Sequence, residues 1–165
     1  MKKSYAFGKL EAVITPSPTR IKPDCPNFSK CGGCCYRHIS YDEELRVKQQ
    51  RVQDAISKIA KLNLPLESVI GAENTEGYRN KAQFPLSNDL QAGFYAFHSH
   101  RVVPCSDCAL QPKEFSKILG AVCEFLKENN IPSYDEVKHT GVARHIYIRK
   151  AEVTGQIMVC LVVNA

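Results

Sequence analysis

Four of the eight cysteines in the chain fall within eleven positions, in the stretch CPNFSKCGGCC from Cys25 to Cys35. No other feature restricts the fold as strongly, since thiols this dense are usually gathered on a common centre. Nothing resembles a secretory signal: Met1-Lys2-Lys3 is basic, but the following residues are interrupted by Gly8, Lys9 and Glu11. No stretch approaches the roughly 18 apolar residues of a membrane span. The expected location is cytoplasmic, where thiols stay reduced and clustered cysteines bind metal more often than they form disulfides.

The spacing Cys25-x5-Cys31-x2-Cys34 places three thiolates within ten residues. Gly32 and Gly33 let the chain turn tightly and present N–H groups to sulfur or metal. A four-coordinate site needs one more ligand, from Cys35, His38, Cys105 or Cys108. Cys35 is the poorest of these, because adjacent thiols chelate one small centre awkwardly. Zinc would accept three thiolates with an imidazole, or four thiolates. A cubane iron–sulfur cluster takes four thiolates, commonly three close together and one remote. The remote Cys108 favours the cluster over zinc, with unpaired buried thiols the blander alternative. Cys123, in an apolar helical pattern, and Cys160, in an apolar strand pattern, read as core cysteines.

Around this segment the chain divides by pattern. Residues 4 to 14 alternate loosely and read as a strand. TPSPTRIKPDCP follows with four prolines in twelve positions, an extended connector. Ser40 with Glu43 has capping-box spacing, and Leu45, Val52, Ile56 and Ile59 continue at helical period to about Leu62. YRNKAQFPL and LQAGFYAFHSHRVVP alternate about SND and read as a hairpin. A second helix fits Pro112 to Asn129, with a wide apolar stripe from Phe115 to Leu126. ARHIYIRKAEV and QIMVCLVVNA flank Thr154-Gly155 as another hairpin. Strands and helices are segregated, so the expected class is α+β: an antiparallel sheet, two main helices and a Cys-rich metal-binding segment. The chain closes at Ala165 inside an apolar strand pattern, as expected of a piece of a longer protein. The net charge of +5 permits a nucleic-acid partner without demanding one.

Four motifs in order resemble one family. PSPTRIKPDCPNFSKCGGCCYRHISYDEELRVKQQRV is similar to the amino-terminal region of the RNA uracil-5-methyltransferases, in the iron–sulfur-containing branch acting on 23S ribosomal RNA. GYRNKAQFP, GFYAFHSHRVVPCSDC and GVARHIYIRK resemble that family's successive central motifs, so the likeness runs from about Tyr5 to Ala165. It implies a [4Fe–4S] cluster on Cys25, Cys31, Cys34 and Cys108, leaving Cys35 and Cys105 as neighbours without a ligand role. It also implies that YRNKAQ lies in an RNA-contacting domain, with Arg79 and Lys81 as candidate contacts. Two basic residues at i and i+2 share a sheet face and can act on one partner together.

The implied organisation is the end of a small RNA-binding β-barrel and a Pro-rich linker over 1–21, an iron–sulfur segment over 22–40 completed by Cys108, and a truncated RNA-recognition domain over 41–165. Members of the family transfer methyl groups in a doubly wound domain that binds S-adenosylmethionine. This chain has no G-x-G cofactor loop and no D-P-P-R-type strand end. No catalytic residue and no S-adenosylmethionine contact is therefore expected within it, and the cofactor belongs to the full-length protein alone. The expected state is a monomer, and the expected partner is 23S ribosomal RNA ahead of tRNA. Two other classes fit the residues less well: a zinc-stabilised nucleic-acid-binding module and a [4Fe–4S] electron carrier.

Overall fold

The computed structural model describes residues 6 and 8–164. Its centre is a three-stranded antiparallel sheet of β1 (Lys81–Pro85), β4 (Ala143–Lys150) and β5 (Ile157–Val163), in the order β1-β4-β5. A separate two-stranded ladder joins β2 (Gly93–Tyr95) to β3 (Val102–Pro104). The helices are α1 (Tyr41–Asp54) and α2 (Glu114–Glu128). The α+β class and the antiparallel sheets are those expected.

Alternation decides which face of the sheet is buried. Ala82 and Phe84 of β1 stand opposite Ile148 and Ile146 of β4, and all four are buried. Their neighbours Lys81 and Gln83 point the other way and are exposed, as the period-2 pleat requires. Phe115, Leu119 and Leu126 of α2 join the same apolar cluster. Phe84 sits at its centre, with ring centroids 5.1 Å from Phe94 and 6.5 Å from Phe115. Each such large side chain contributes about 1.5–3 kcal/mol by leaving water. The β4–β5 hairpin turns through Ala151–Gln156, as its sequence indicates, closed by the Ala151 N–H donating to the Gln156 carbonyl at 2.8 Å.

The first expected hairpin forms differently. Leu86 and Ala92 make one isolated bridge about the Ser87–Leu90 turn, and there the pairing stops. β1 pairs instead with β4, whose isoleucines cover Ala82 and Phe84. LQAGFYAFHSHRVVP folds back on itself, Tyr95 against Val102, with His98 in the left-handed region at φ 52°. An alternating run cannot announce which partner it will take, because register and pairing follow burial. Of the expected opening strand, residues 4, 5 and 7 lie outside the described residues, and Ala6 and 8–14 form no strand.

The chain separates into two compact units. The first holds residues up to Lys22 with His38–Val69, and the second holds Pro23–Arg37 with Ile70 onward. In the first, an Arg20–Ile39 bridge and the Ser40 N–H donating to the Thr19 carbonyl hold the connector beside the start of α1. Ser40 caps that helix, its hydroxyl accepting from the Glu43 N–H at 3.4 Å. A π-helical turn, Ala55–Ile59, follows α1. The Leu62 N–H then closes on the Ile56 carbonyl at 3.1 Å, so the helical run ends where expected.

Candidate metal centre and the open sheet face

The cysteine loop belongs to the second unit and folds against that unit's strands. The Cys31 N–H donates to the Asn27 carbonyl at 2.7 Å, which tightens the turn after Cys25. The Gly33 N–H points at Cys31 Sγ, 3.3 Å away, the donor role that the glycine pair was expected to play. Cys31 bridges Ala96 and the Gly32 N–H donates to the Tyr95 carbonyl at 3.0 Å, so the loop adds to the end of β2. Cys25, Cys31, Cys34 and Cys108 all line one cavity as a result. Cys105 lines it too. Cys35 is exposed and takes no part.

The cavity separates its thiols electrostatically. Cys108 is pulled down to about 6, first by the Cys105 thiol donating to it, then by the Leu110 N–H and the Arg79 and Arg37 guanidiniums. The Cys105 thiol is pushed up by the same hydrogen bond and by burial. Burial and the charge on Cys108 push Cys34 up. Arg37 is fixed by Asp24, its Nε donating to Oδ1 at 2.6 Å, and it also reaches Glu76 at 3.4 Å. A thiolate held low beside two guanidiniums is the donor type that soft metals take. Among the described residues, no three His, Cys, Asp or Glu side chains are already close enough together to hold one ion. The donors thus share a cavity without being drawn to a point.

Arg79 and Lys81 part company. β1 begins only at Lys81, and the Arg79 N–H is tied to the Leu110 carbonyl at 2.9 Å. The Arg79 guanidinium turns to the Gly33 carbonyl at 3.4 Å and forms part of the cysteine cavity wall. Lys81 instead extends over the Tyr147 ring, 5.4 Å from its centroid. Lys81 pairs with Arg149, Gln83 with Tyr147 and Pro85 with His145, so these residues share the face opposite the buried isoleucines. On β1 and β4 that face is basic and aromatic, and β5 continues it with Met158, Cys160 and Val162.

No protein-family model matches the chain. Among curated proteins it is 42% identical over 163 residues to an uncharacterized RNA methyltransferase of Clostridium tetani, covering 97% of this chain and 35% of that protein. A second protein of that name, from Halalkalibacterium halodurans, is 42% identical over 98% of this chain and 36% of its own length. The chain is homologous to RNA methyltransferases. It spans about a third of the length of the relatives it matches. The crystal structure of Pyrococcus abyssi tRNA (uracil-54, C5)-methyltransferase, in complex with S-adenosyl-L-homocysteine, shares the fold with a TM-score of 0.70. It is 23% identical, and the match covers 92% of this chain and 34% of that one.

In this RNA methyltransferase homologue Cys108 reaches the cavity of the Cys25–Cys34 loop, while Arg79 and Lys81 separate. Cys105, weighed from sequence first as a possible fourth ligand and then as a neighbour, lines the cavity beside Cys108. Arg37 and Tyr147 carried no signal of their own. Cys123 is half-buried and packs against the core as expected, whereas Cys160 is exposed. Its strand lies at the sheet edge, so an apolar neighbourhood in sequence gave it no cover. No described helix is long and apolar enough to cross a membrane.

Proposed function

We propose that this chain is the iron–sulfur-binding and RNA-recognition portion of an S-adenosylmethionine-dependent uracil-5-methyltransferase of 23S ribosomal RNA. One observation carries the reading: Cys25, Cys31 and Cys34 share a cavity with Cys108, more than seventy positions away, in a homologue of RNA methyltransferases. Cys25, Cys31, Cys34 and Cys108 would hold a [4Fe–4S] cluster, with Cys105 as a thiol donor to Cys108 and Arg79 and Arg37 offsetting the thiolate charge. Bound there, the cluster supplies a four-point staple between the loop and the strand pair, since methyl transfer from a sulfonium needs no electron. The closure of so long a loop removes unfolded-state entropy. Lys81 would contact the RNA backbone, whereas Arg79, expected from sequence to do the same, would stay with the cavity its guanidinium lines. The reaction and the S-adenosylmethionine site are assigned to the length of the relatives that this chain does not span.

The test is anaerobic reconstitution followed by iron, sulfide and zinc analysis. Four irons and four sulfides per chain are expected, abolished by Cys108→Ser and retained by Cys35→Ser. Stoichiometric zinc without sulfide would sink the cluster and leave a zinc-stabilised module. Binding to a tRNA transcript in preference to a 23S ribosomal RNA hairpin would overturn the substrate.

A further inference from the structure

The second unit carries a row of aromatic rings that its core does not use. Phe97, at the tip of the β2–β3 hairpin, is 69% exposed, with its ring 4.1 Å from that of His98. Behind the tip, the His100 ring lies 5.3 Å from Tyr95 at an interplanar angle of 31°. Tyr95 then meets His145 edge-on, its hydroxyl 3.2 Å from Nε2. Two residues further along β4, Tyr147 shares the open sheet face with His145 and lies under Lys81. The rings thus fall in three places: Phe97 with His98 at the tip, His100 with Tyr95 and His145 behind it, and Tyr147 on the sheet.

Phe97 is exposed, whereas Tyr95, His145 and Tyr147 are half-buried and stand outside the apolar cluster. The apolar cluster is built from Phe84, Phe115 and the aliphatic residues, on the opposite face. His145 Nδ1 is enclosed without a hydrogen-bond partner. The surrounding charge is positive: Arg101 lies in the hairpin, and Lys81 and Arg149 flank Tyr147. The acidic neighbour Glu136 is neutralised by Arg144 at 2.7 Å. The tip is also braced. A side chain at position 32 would lie 3.3 Å from the Tyr95 carbonyl and 3.4 Å from Phe97 Cα, so the cysteine loop packs closely against the tip.

Resting on the RNA-recognition reading above and deepening it, we propose that the rings from Phe97 through Tyr95 and His145 to Tyr147 form a stacking track for unpaired RNA bases, with Lys81 and Arg149 following the phosphates. Rings accept any base by its π-face, and flanking cations track the backbone, so the track selects single strands over duplex with little sequence preference.

The chain contains no tryptophan, so Phe97→Trp installs a single indole reporter at the tip. The experiment titrates the cluster-reconstituted chain with a fluorescein-labelled, unstructured RNA of about eight nucleotides and with the same sequence as a duplex. The indole emission of the Phe97→Trp variant should be quenched as the single strand binds, with the duplex binding more weakly. Phe97→Ala and Tyr147→Ala should each weaken binding by roughly 5- to 100-fold without changing its salt dependence. Tyr147→Phe should bind as the parent does. Lys81→Ala and Arg149→Ala should each lower the slope against log salt by about one. The track is refuted if the indole emission stays constant while the label reports binding, if both alanine variants bind as the parent does, or if duplex binds as well. Absence of binding to any RNA, at low salt and with the cluster present, overturns the RNA reading and this proposal together.

Discussion

The two helices carry similar sequence signals and meet different fates. Both place apolar residues at helical spacing, yet α2 buries Phe115, Leu119 and Leu126 while α1 buries nothing. Val52, on the apolar line of α1, remains half exposed. What holds α1 is local: the Ser40 cap, acidic residues in its first turn, and the ion pairs Glu43–Arg46 and Glu44–Lys48 at 2.7 and 2.6 Å. What holds α2 is the sheet. Periodicity states that a helix has an apolar face, and only the receiving surface converts that face into stability.

Substitutions along both helices would break this contrast if it is wrong. The largest effect is expected at Leu126, which is fully buried. Leu126→Ala should cost about 2–5 kcal/mol in urea denaturation, while Val52→Ala on α1 should stay within about 0.5 kcal/mol. Equal losses would mean that α1 is packed as tightly as α2. Next comes Gly141, which holds φ at 97° against the Ser133 carbonyl where the chain enters β4. Gly141→Ala should cost about 1–3 kcal/mol or more, because the left-handed backbone and the collision act together. That loss should appear in the melting of the sheet and leave α1 untouched. Ser40→Ala should cost about 1 kcal/mol, and its signature should be a loss of helical circular dichroism from α1 alone. Smallest is Arg46→Ala, whose own side chain is 65% exposed. It should leave the denaturation midpoint within error at moderate salt. A clear salt-sensitive drop there would show that α1 depends on its ion pairs more than on its cap.

Much of the fold was legible. The Ser40 cap, the extent of α2 and the turn between β4 and β5 all follow from local chemistry: a hydroxyl three residues before a glutamate, an apolar stripe, and a glycine between two apolar runs. The first hairpin was not legible in the same way. Alternation at Lys81–Pro85 specifies which side of that strand is apolar, but β4 and β2 could both have supplied a matching edge. The isoleucines of β4 won because they cover Phe84 from a strand long enough to pair along the whole of β1.

The cysteine site divides along the same line. Residue identity and spacing alone put Cys25, Cys31 and Cys34 within ten positions and set Gly32 and Gly33 between the last two, where the chain is free to turn tightly. Tertiary structure decided everything that depends on distant chain. It brought Cys108 and Cys105 to the cavity, sent the Arg79 guanidinium to its wall, and turned Lys81 to the opposite side of the strand beside Tyr147. Short-range geometry is written in bond lengths and rotamers, whereas long-range encounters are settled by which apolar surfaces the whole chain manages to bury.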